Sequence, residues 1–262
     1  AVIIKDMDAI KKEYGRKRRT AIENAEEAVY EEKKMEEMEV CFLMDRFGYM
    51  KLIDKNAYER NKEAVHNENK YVFNCMNTDK ICIFTDTGKM HTIKAVDIPL
   101  GRFRDKGTPV DNLSNYDSSQ ERMLYVAPVG QLRSDRLLFV TKTSMCKLVE
   151  GAEFDVAKRT IASTKLADED ELIFIGSASE MEQIVLQSHG GCFLRFLTQE
   201  VSTMKKTALG VRGMKLADDD YLEHAYLLAG HQEYTISYHD KEYALNKVRL
   251  AKRDTKGIKP RI

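Results

Sequence analysis

Between Lys11 and Arg19 six basic residues stand against Glu13 alone, and between Lys241 and Ile262 eight stand against Glu242 and Asp254. Runs of this kind neutralise phosphates, so the chemistry open to them is the holding of a polyanion. They are offset elsewhere. Glu23 to Glu39 carries eight Glu against Lys33 and Lys34, the stretch 40–240 sums to about −4, and the formal charge of the 262 residues is zero. Any nucleic-acid surface must therefore be a local patch. Covalent chemistry has less support, because no Ser/His/Asp set, phosphate loop or metal cluster occurs at useful spacing. Cys41, Cys75, Cys82, Cys146 and Cys192 are scattered, none forms a CxxC, and the six histidines lie apart from them. Such a set suits buried thiols in a reducing cytosol. His91 and His189 sit beside expected turns, where hydrogen bonding accounts for them.

The elements that must carry these residues come in two kinds. Residues 5–39 lack proline and hold one glycine, Gly15, and Ile10, Tyr14, Ile22, Ala25, Val29 and Met35 form a loose helical stripe. This predicts a connector helix broken at Gly15. The opening AVIIKDMDAI has no initiator Met and no signal-peptide pattern and reads as a cut into a longer protein. After Met38 the period becomes that of strands. Two apolar runs joined by a turn recur about Gly48, Gly88, Ser144, Gly190 and Lys241, at steps of 40, 56, 46 and 51 residues. Each is followed by a polar loop and another apolar stretch, such as 71–75, 123–126, 172–175 and 225–228. About four strands per unit, at this interval, is the pattern of propeller blades. The acidic stretches Asp168-Glu169-Asp170-Glu171 and Asp218-Asp219-Asp220 read as turn chemistry.

Particular residues narrow the class. Gly210-Val211-Arg212-Gly213-Met214-Lys215-Leu216 resembles the GVRG segment in the C-terminal domain of bacterial gyrase A and topoisomerase IV A subunits. Thr85-Asp86-Thr87-Gly88-Lys89-Met90-His91, the 96–106 loop and Thr255-Lys256-Gly257-Ile258 resemble parts of other such units. Tyr14-Gly15-Arg16-Lys17-Arg18-Arg19-Thr20-Ala21-Ile22 is similar to the stretch that closes the family's breakage-reunion region. The resemblance implies an all-β fold, a propeller-like β-pinwheel of about five four-stranded blades that exchange strands, preceded by a short helical segment. The expected division is 1–37 for the helical connector and 38–262 for the pinwheel, with blades near 38–78, 79–130, 131–181, 182–231 and 232–262. It implies a non-catalytic domain that binds and bends or wraps duplex DNA for strand passage. The breakage-reunion domain and an ATPase B subunit would be its partners, ATP and Mg would be used elsewhere, and the location would be the bacterial cytoplasm at the nucleoid, without membrane contact. No match to the family's R-Y-T nucleophile segment occurs, so Tyr14 takes no catalytic role. The glycine-rich basic box of gyrase A is absent, its place being taken by 56–65, which points to a topoisomerase IV type of subunit or a non-canonical gyrase. Five units also stand where gyrase typically has six.

Within that frame DNA would be held by phosphate contacts and bending, with no base-reading helix. The candidate cations are Lys89, Lys94, Arg102, Arg104 and Lys106 in the second unit, with Gly101 and Gly107 allowing close backbone approach. The third offers Lys142, Lys147, Lys158, Arg159 and Lys165; the fourth Arg195, Lys205, Lys206, Arg212 and Lys215; the fifth Lys247, Arg249, Lys252, Arg253 and Lys256. Arg212 has a second reading, as the group fixing the turn between Gly210 and Gly213. Phe103 reads as a loop aromatic packed back on its blade. No catalytic residue, metal site or cofactor is assigned. The competing reading is a propeller used as a protein-interaction platform, supported by the near-neutral charge.

Overall fold

A computed structural model describes residues 2–17, 19–20, 36–230 and 233–260, in two compact units, Ala1–Glu36 and Glu37–Ile262. Among its described residues the first contains one helix, α1 (Val2–Tyr14), with no buried residue. It stops at the glycine, whose N–H still reaches Lys11 O at 2.9 Å. Ile22, Ala25, Val29 and Met35 of the expected stripe, and most of the acidic run, lie outside the described residues.

In the second unit the described strands follow in order: β1 (Glu39–Asp45), β2 (Tyr49–Asp54), β3 (Asn69–Met76), β4 (Lys80–Thr85), β5 (Lys89–Lys94), β6 (Thr108–Pro109), β7 (Met123–Pro128), β8 (Arg136–Thr141), β9 (Met145–Glu150), β10 (Thr160–Ala162), β11 (Leu172–Ser177), β12 (Gln183–Ser188), β13 (Phe193–Leu197), β14 (Val211–Arg212), β15 (Leu222–Leu228), β16 (Thr235–Tyr238) and β17 (Lys241–Ala244). The hairpins β1–β2, β4–β5, β8–β9, β12–β13 and β16–β17 pair antiparallel through tight turns. Left-handed residues make those turns: Gly48, Gly88, Ser144, Gly191, and the pair His239–Asp240. The fourth turn is thus centred on Gly191 and not Gly190, and the fifth on Asp240 and not Lys241, because those are the residues with positive φ.

Sheet order shows how the units join. The orders are β3-β1-β2-β6, β10-β5-β4-β7 and β11-β8-β9-β14. In each, a hairpin is flanked beside its first strand by a later strand of its own unit, β3, β7 or β11, and beside its second strand by a short strand delivered from the next unit. The fourth sheet, β13-β12-β15, has an isolated bridge from Phe193 to Ile258 in place of that short strand. Among the described residues the fifth holds β16 and β17, and residues after them, Leu250 and Ile258, bridge to β13 of the fourth. The expectation of about four strands per blade thus holds for three sheets. A single sheet cannot bury both faces, and the core lies between neighbours. Val40, Phe42 and Met44 pack with Ile81 and Ile83; Phe84 and Met90 with Phe139 and Phe154; Leu138 and Leu148 with Ile184 and Phe196; Val185 and Phe193 with Leu245 and Val248.

Candidate nucleic-acid interface

The basic loops all precede exchanged residues, and the ladder fixes their position. The segment leading to β6 runs beside β2, with Leu52 N donating to Pro99 O and Gly101 N to Leu52 O, both at 2.9 Å. The segment leading to β14 runs beside β9 in the same way, through Leu148 N to Ser202 O at 3.2 Å and Met204 N to Leu148 O at 2.8 Å. Ala251 N donates to Arg195 O at 2.9 Å beside β13, and Thr92 N donates to Arg159 O at 2.8 Å beside β5. In the first two cases the chain must then reverse into an antiparallel strand. Gly107 (φ +81) and Gly210 (φ +106) make that entry, and a Cβ there would lie 2.6 Å from Met50 O and 2.7 Å from Cys146 O. Only a residue without a side chain fits so close to a neighbouring carbonyl. These segments present Arg102, Arg104 and Lys106, then Lys158 and Arg159, then Lys205, then Lys252 and Lys256, as exposed cations over successive sheets.

The twenty candidates fall into different environments. Lys94, Arg102, Arg104, Lys158, Arg159, Lys165, Lys215, Lys247, Arg249, Lys252 and Lys256 are exposed and have no ion pair among the described residues. Lys106 is exposed with its ammonium 4.4 Å from the centre of the Tyr49 ring. Lys89, Lys142, Lys205 and Arg212 pair with Glu121, Glu171, Glu153 and Asp254 at 3.0, 3.0, 3.4 and 3.6 Å. The Lys142–Glu171 and Arg212–Asp254 pairs are exposed on both sides, weak and screened, so a phosphate can compete for those cations, whereas the partner of Lys89 is buried. Lys206 and Arg253 are half-buried and turned to carbonyls: Lys206 Nζ to Glu153 O at 2.9 Å, Arg253 Nε to Glu200 O at 3.1 Å and Nη1 to Arg212 O at 2.6 Å. Arg195 is half-buried and donates to Asn246 O. Lys147 is only 1% exposed, and its ammonium donates to Lys206 O at 2.8 Å and Ala208 O at 2.7 Å. Its charge is thus turned into the protein and is not presented to solvent. Burial pulls it down to about 8, partly offset by Glu153.

Lys147 has a counterpart that is not among the candidate cations. Lys51, at the same place in β2, donates to Phe103 O and, at 2.6 Å, to Asp105 O, and burial lowers its proton affinity. The sequence signal is the third residue of the second strand in the first four hairpins: Lys51, His91, Lys147 and Arg195. Phe103 itself packs with Cys41, Leu43, Ile53 and Val65.

His91 is the exception in this series and ties the exchange differently. It is buried, with Nε2 3.1 Å from Glu121 Oε2 and Nδ1 3.1 Å from Thr160 Oγ1 of β10. Burial alone would push the Glu121 carboxyl up; hydrogen bonds from His91, Thr85 and Lys89 outweigh it and hold it at about 2. An ionised carboxylate only accepts, so Nε2 carries the proton, and a neutral ring can then accept at Nδ1 from the Thr160 hydroxyl. The acidic turns act locally as well. Asp170 accepts from Thr143 Oγ1 at 2.6 Å, and Asp220 from Gly190 N at 2.9 Å, each fastening a hairpin turn.

At 56–65, α2 (Lys55–Arg60) and α3 (Lys62–Glu68) occupy the chain. The Asp54 carboxylate caps the first through Ala57 N at 2.8 Å, and Val65 is buried against Cys41, Leu43 and Ile53. Four cysteines, Cys41, Cys75, Cys82 and Cys146, are buried, and burial raises their thiols to about 11, 12, 12 and 12. Among the described residues no group of three or more His, Cys, Asp or Glu is placed to hold a metal ion, and no helix is long and apolar enough to cross a membrane.

A sequence model of the family described as "DNA gyrase C-terminal domain, beta-propeller" matches residues 79–118, 135–179 and 182–229, just over half of the chain. The chain belongs to the DNA gyrase C-terminal domain family. Similar proteins include the DNA gyrase A protein of Clostridium acetobutylicum, 29% identical over 224 residues that take in 81% of this chain and 27% of that protein. The DNA gyrase A protein of Ureaplasma parvum is 24% identical over 274 residues, with 98% and 32% covered. The chain therefore spans between about a quarter and a third of these relatives. Among solved structures, the C-terminal domain of DNA topoisomerase IV superposes with a TM-score of 0.73 at 22% identity, covering 85% of this chain and 72% of that one. The DNA gyrase A C-terminal domain superposes at 0.56 and 19% identity, covering 84% and 76%. The fold of this gyrase-family chain is thus the β-pinwheel, and the strands delivered from one unit to the sheet of another are its connections.

Proposed function

We propose that this gyrase-family domain binds duplex DNA through the exchange loops and bends it, guiding a segment for strand passage by a parent type IIA topoisomerase. The observation that supports the reading is the repeated placement of exposed cations over successive sheets, above all Arg102, Arg104 and Lys106, which have no ion pair among the described residues. Phosphates recur along a duplex, and a repeated cation at one place in each repeat suits a backbone-tracking, sequence-independent contact. No catalytic role falls to this part of the chain on this reading. A breakage-reunion domain would cut the DNA, an ATPase B subunit would use ATP with Mg, and the work would be done at the bacterial nucleoid. Two short helices stand where the glycine-rich basic box would lie, so the expected action is bending of the topoisomerase IV type without extensive wrapping.

Two measurements test this. Replacing Arg102, Arg104 and Lys106 by Ala should weaken duplex binding and flatten the log–log salt slope by up to about 0.9 per lost contact; an unchanged slope would refute the assignment. Sealing nicked plasmid with ligase in the presence of the protein should leave the linking number nearly unchanged while binding persists at low salt. A large positive shift would mean wrapping of the gyrase kind. Absence of both shift and binding would favour a protein-interaction platform, for which the near-neutral charge is the supporting feature.

A further inference from the structure

Two of the exchange loops follow the same backbone course. In 102–106, Asp105 N donates to Arg102 O at 3.1 Å; in 205–209, Ala208 N donates to Lys205 O at 2.9 Å. Both lead into a positive-φ glycine, and both lie over a lysine of the preceding sheet. Lys51 Nζ takes Phe103 O and Asp105 O, and Lys147 Nζ takes Lys206 O and Ala208 O, the same two positions in each loop.

A planar trans peptide sets its C=O and the following N–H in opposite directions. Carbonyls 103 and 105 turned in to Lys51 therefore send the N–H groups of Arg104 and Lys106 outward. Carbonyls 206 and 208 turned in to Lys147 send out those of Thr207 and Leu209. All four residues are exposed, and none of the four N–H groups has a protein acceptor among the described residues. The Asp105 carboxylate is occupied by Arg102 N at 2.7 Å.

We propose that each loop is a backbone phosphate seat, in which two outward amides receive phosphate oxygens and the lysine beneath the loop holds the amides in that direction. The inference rests on the DNA reading and specifies its ligand contact. Outward amide pairs favour anions without help from side chains, and the neighbouring Arg104, Lys106 and Lys205 add charge. Lys51 and Lys147 are positioning residues that act through the loop and touch no phosphate. Arg195 shows that a longer cation is tolerated at this register, since it too donates to a carbonyl of the following unit.

The test begins with the ¹⁵N-labelled protein, titrated separately with inorganic phosphate and with a short DNA duplex. The amides of Arg104, Lys106, Thr207 and Leu209 should shift together and more than those of Asp105 and Ala208, which are bonded within the loop. Lys51→Met and Lys147→Met should then weaken duplex binding and lower the salt slope by up to about 0.9 per seat, the second without removing an exposed charge, since Lys147 is buried. Lys51→Arg and Lys147→Arg should keep both. Unmoved amides, or methionine variants that bind as the parent does while the Arg102/Arg104/Lys106 triple variant fails, would overturn the seats and leave the DNA reading standing. Amides that respond to phosphate in a protein that binds no duplex would support the seats and remove the DNA reading. Should a methionine variant fail to fold, the amide titration of the unaltered protein decides.

Discussion

Replacing Glu121 by Gln should remove a pH-dependent share of the stability of the β4–β5 sheet and its exchanged strand. The carboxylate is 4% exposed and receives bonds from Lys89 Nζ at 3.0 Å, His91 Nε2 at 3.1 Å and Thr87 Oγ1 at 3.1 Å. The hydrogen bonds it accepts, that from His91 above all, outweigh burial and bring the group from 4.5 to about 2. At roughly 1.4 kcal/mol per pKa unit, the ionised form is worth about 3 kcal/mol to the folded state. The sign follows from the direction of the shift. Above pH 4.5 the group is ionised whether folded or not, and the full contribution is present. As pH falls from 4.5 towards 2 the unfolded chain takes up the proton first, and the contribution is lost. Urea unfolding at a series of pH values measures this directly; the chain has no tryptophan, so far-UV circular dichroism is the signal to follow. Glu121→Gln should be about 3 kcal/mol less stable at pH 7, and the two proteins should converge as pH 2 is approached. A gap that stays constant from about pH 7 to about pH 3 would refute the reasoning, because it would mean that shape and not charge holds the site.

Lys147 titrates in the opposite window: with its ammonium lowered to about 8 against an ordinary 10.5, the folded chain releases a proton that the unfolded chain keeps. Stability should therefore rise between about pH 8 and 10.5, a rise absent from Lys147→Met and visible in urea midpoints. Gly210→Ala should destabilise by about 1–3 kcal/mol, because the residue sits at φ +106 with Cys146 O 2.7 Å from the added carbon; thermal unfolding indistinguishable from the parent would contradict it. With a thiol-specific chromogenic reagent, Cys192, which is half-buried, should react well ahead of Cys41, Cys75, Cys82 and Cys146. Equal rates for all five would show that the sheets open on the timescale of the reaction.

What could be read from the sequence was whatever repeats locally. The hairpins announce themselves because apolar runs alternate with turns, and each turn needs a left-handed residue. The register of a turn is finer than that signal: Gly190 and Gly191 are equivalent in composition, and only the backbone shows which one reverses the chain. Strand exchange entered through family resemblance and not through periodicity, since β6, β10 and β14 are two or three residues long and carry no alternation. The cations were legible as residue types and not as environments. Lys147 and Lys158 look alike in the sequence; one is buried under a loop and the other is exposed on one. Separating them requires knowing that β9 is covered by a segment from the next unit, a contact more than fifty residues distant in the chain.

The same long-range contacts account for how a chain of zero net charge can carry a basic surface. Charge balance opposes polyanion binding only if the acids stand free beside the cations. Here many of them are used in the fold. Asp86 accepts from Arg122 N at 2.9 Å, Asp170 from Thr143 and Asp220 from Gly190, so acids of three units are fastened to hairpin turns. Glu121 is buried with His91, the Glu200 carboxylate accepts from Arg253 N at 2.9 Å, and Glu153 accepts from Lys206 N at 3.1 Å. The exchange loops, which must reverse over a neighbouring sheet, keep Arg102, Arg104, Lys158 and Lys252 without such partners. Exposed cations of this kind interact over about 8 Å at physiological ionic strength. A phosphate backbone laid on the loops would therefore meet the cations before it met acids fixed at the turns, and the strength of that meeting should fall steeply with salt while the fold, held by buried pairs, should not.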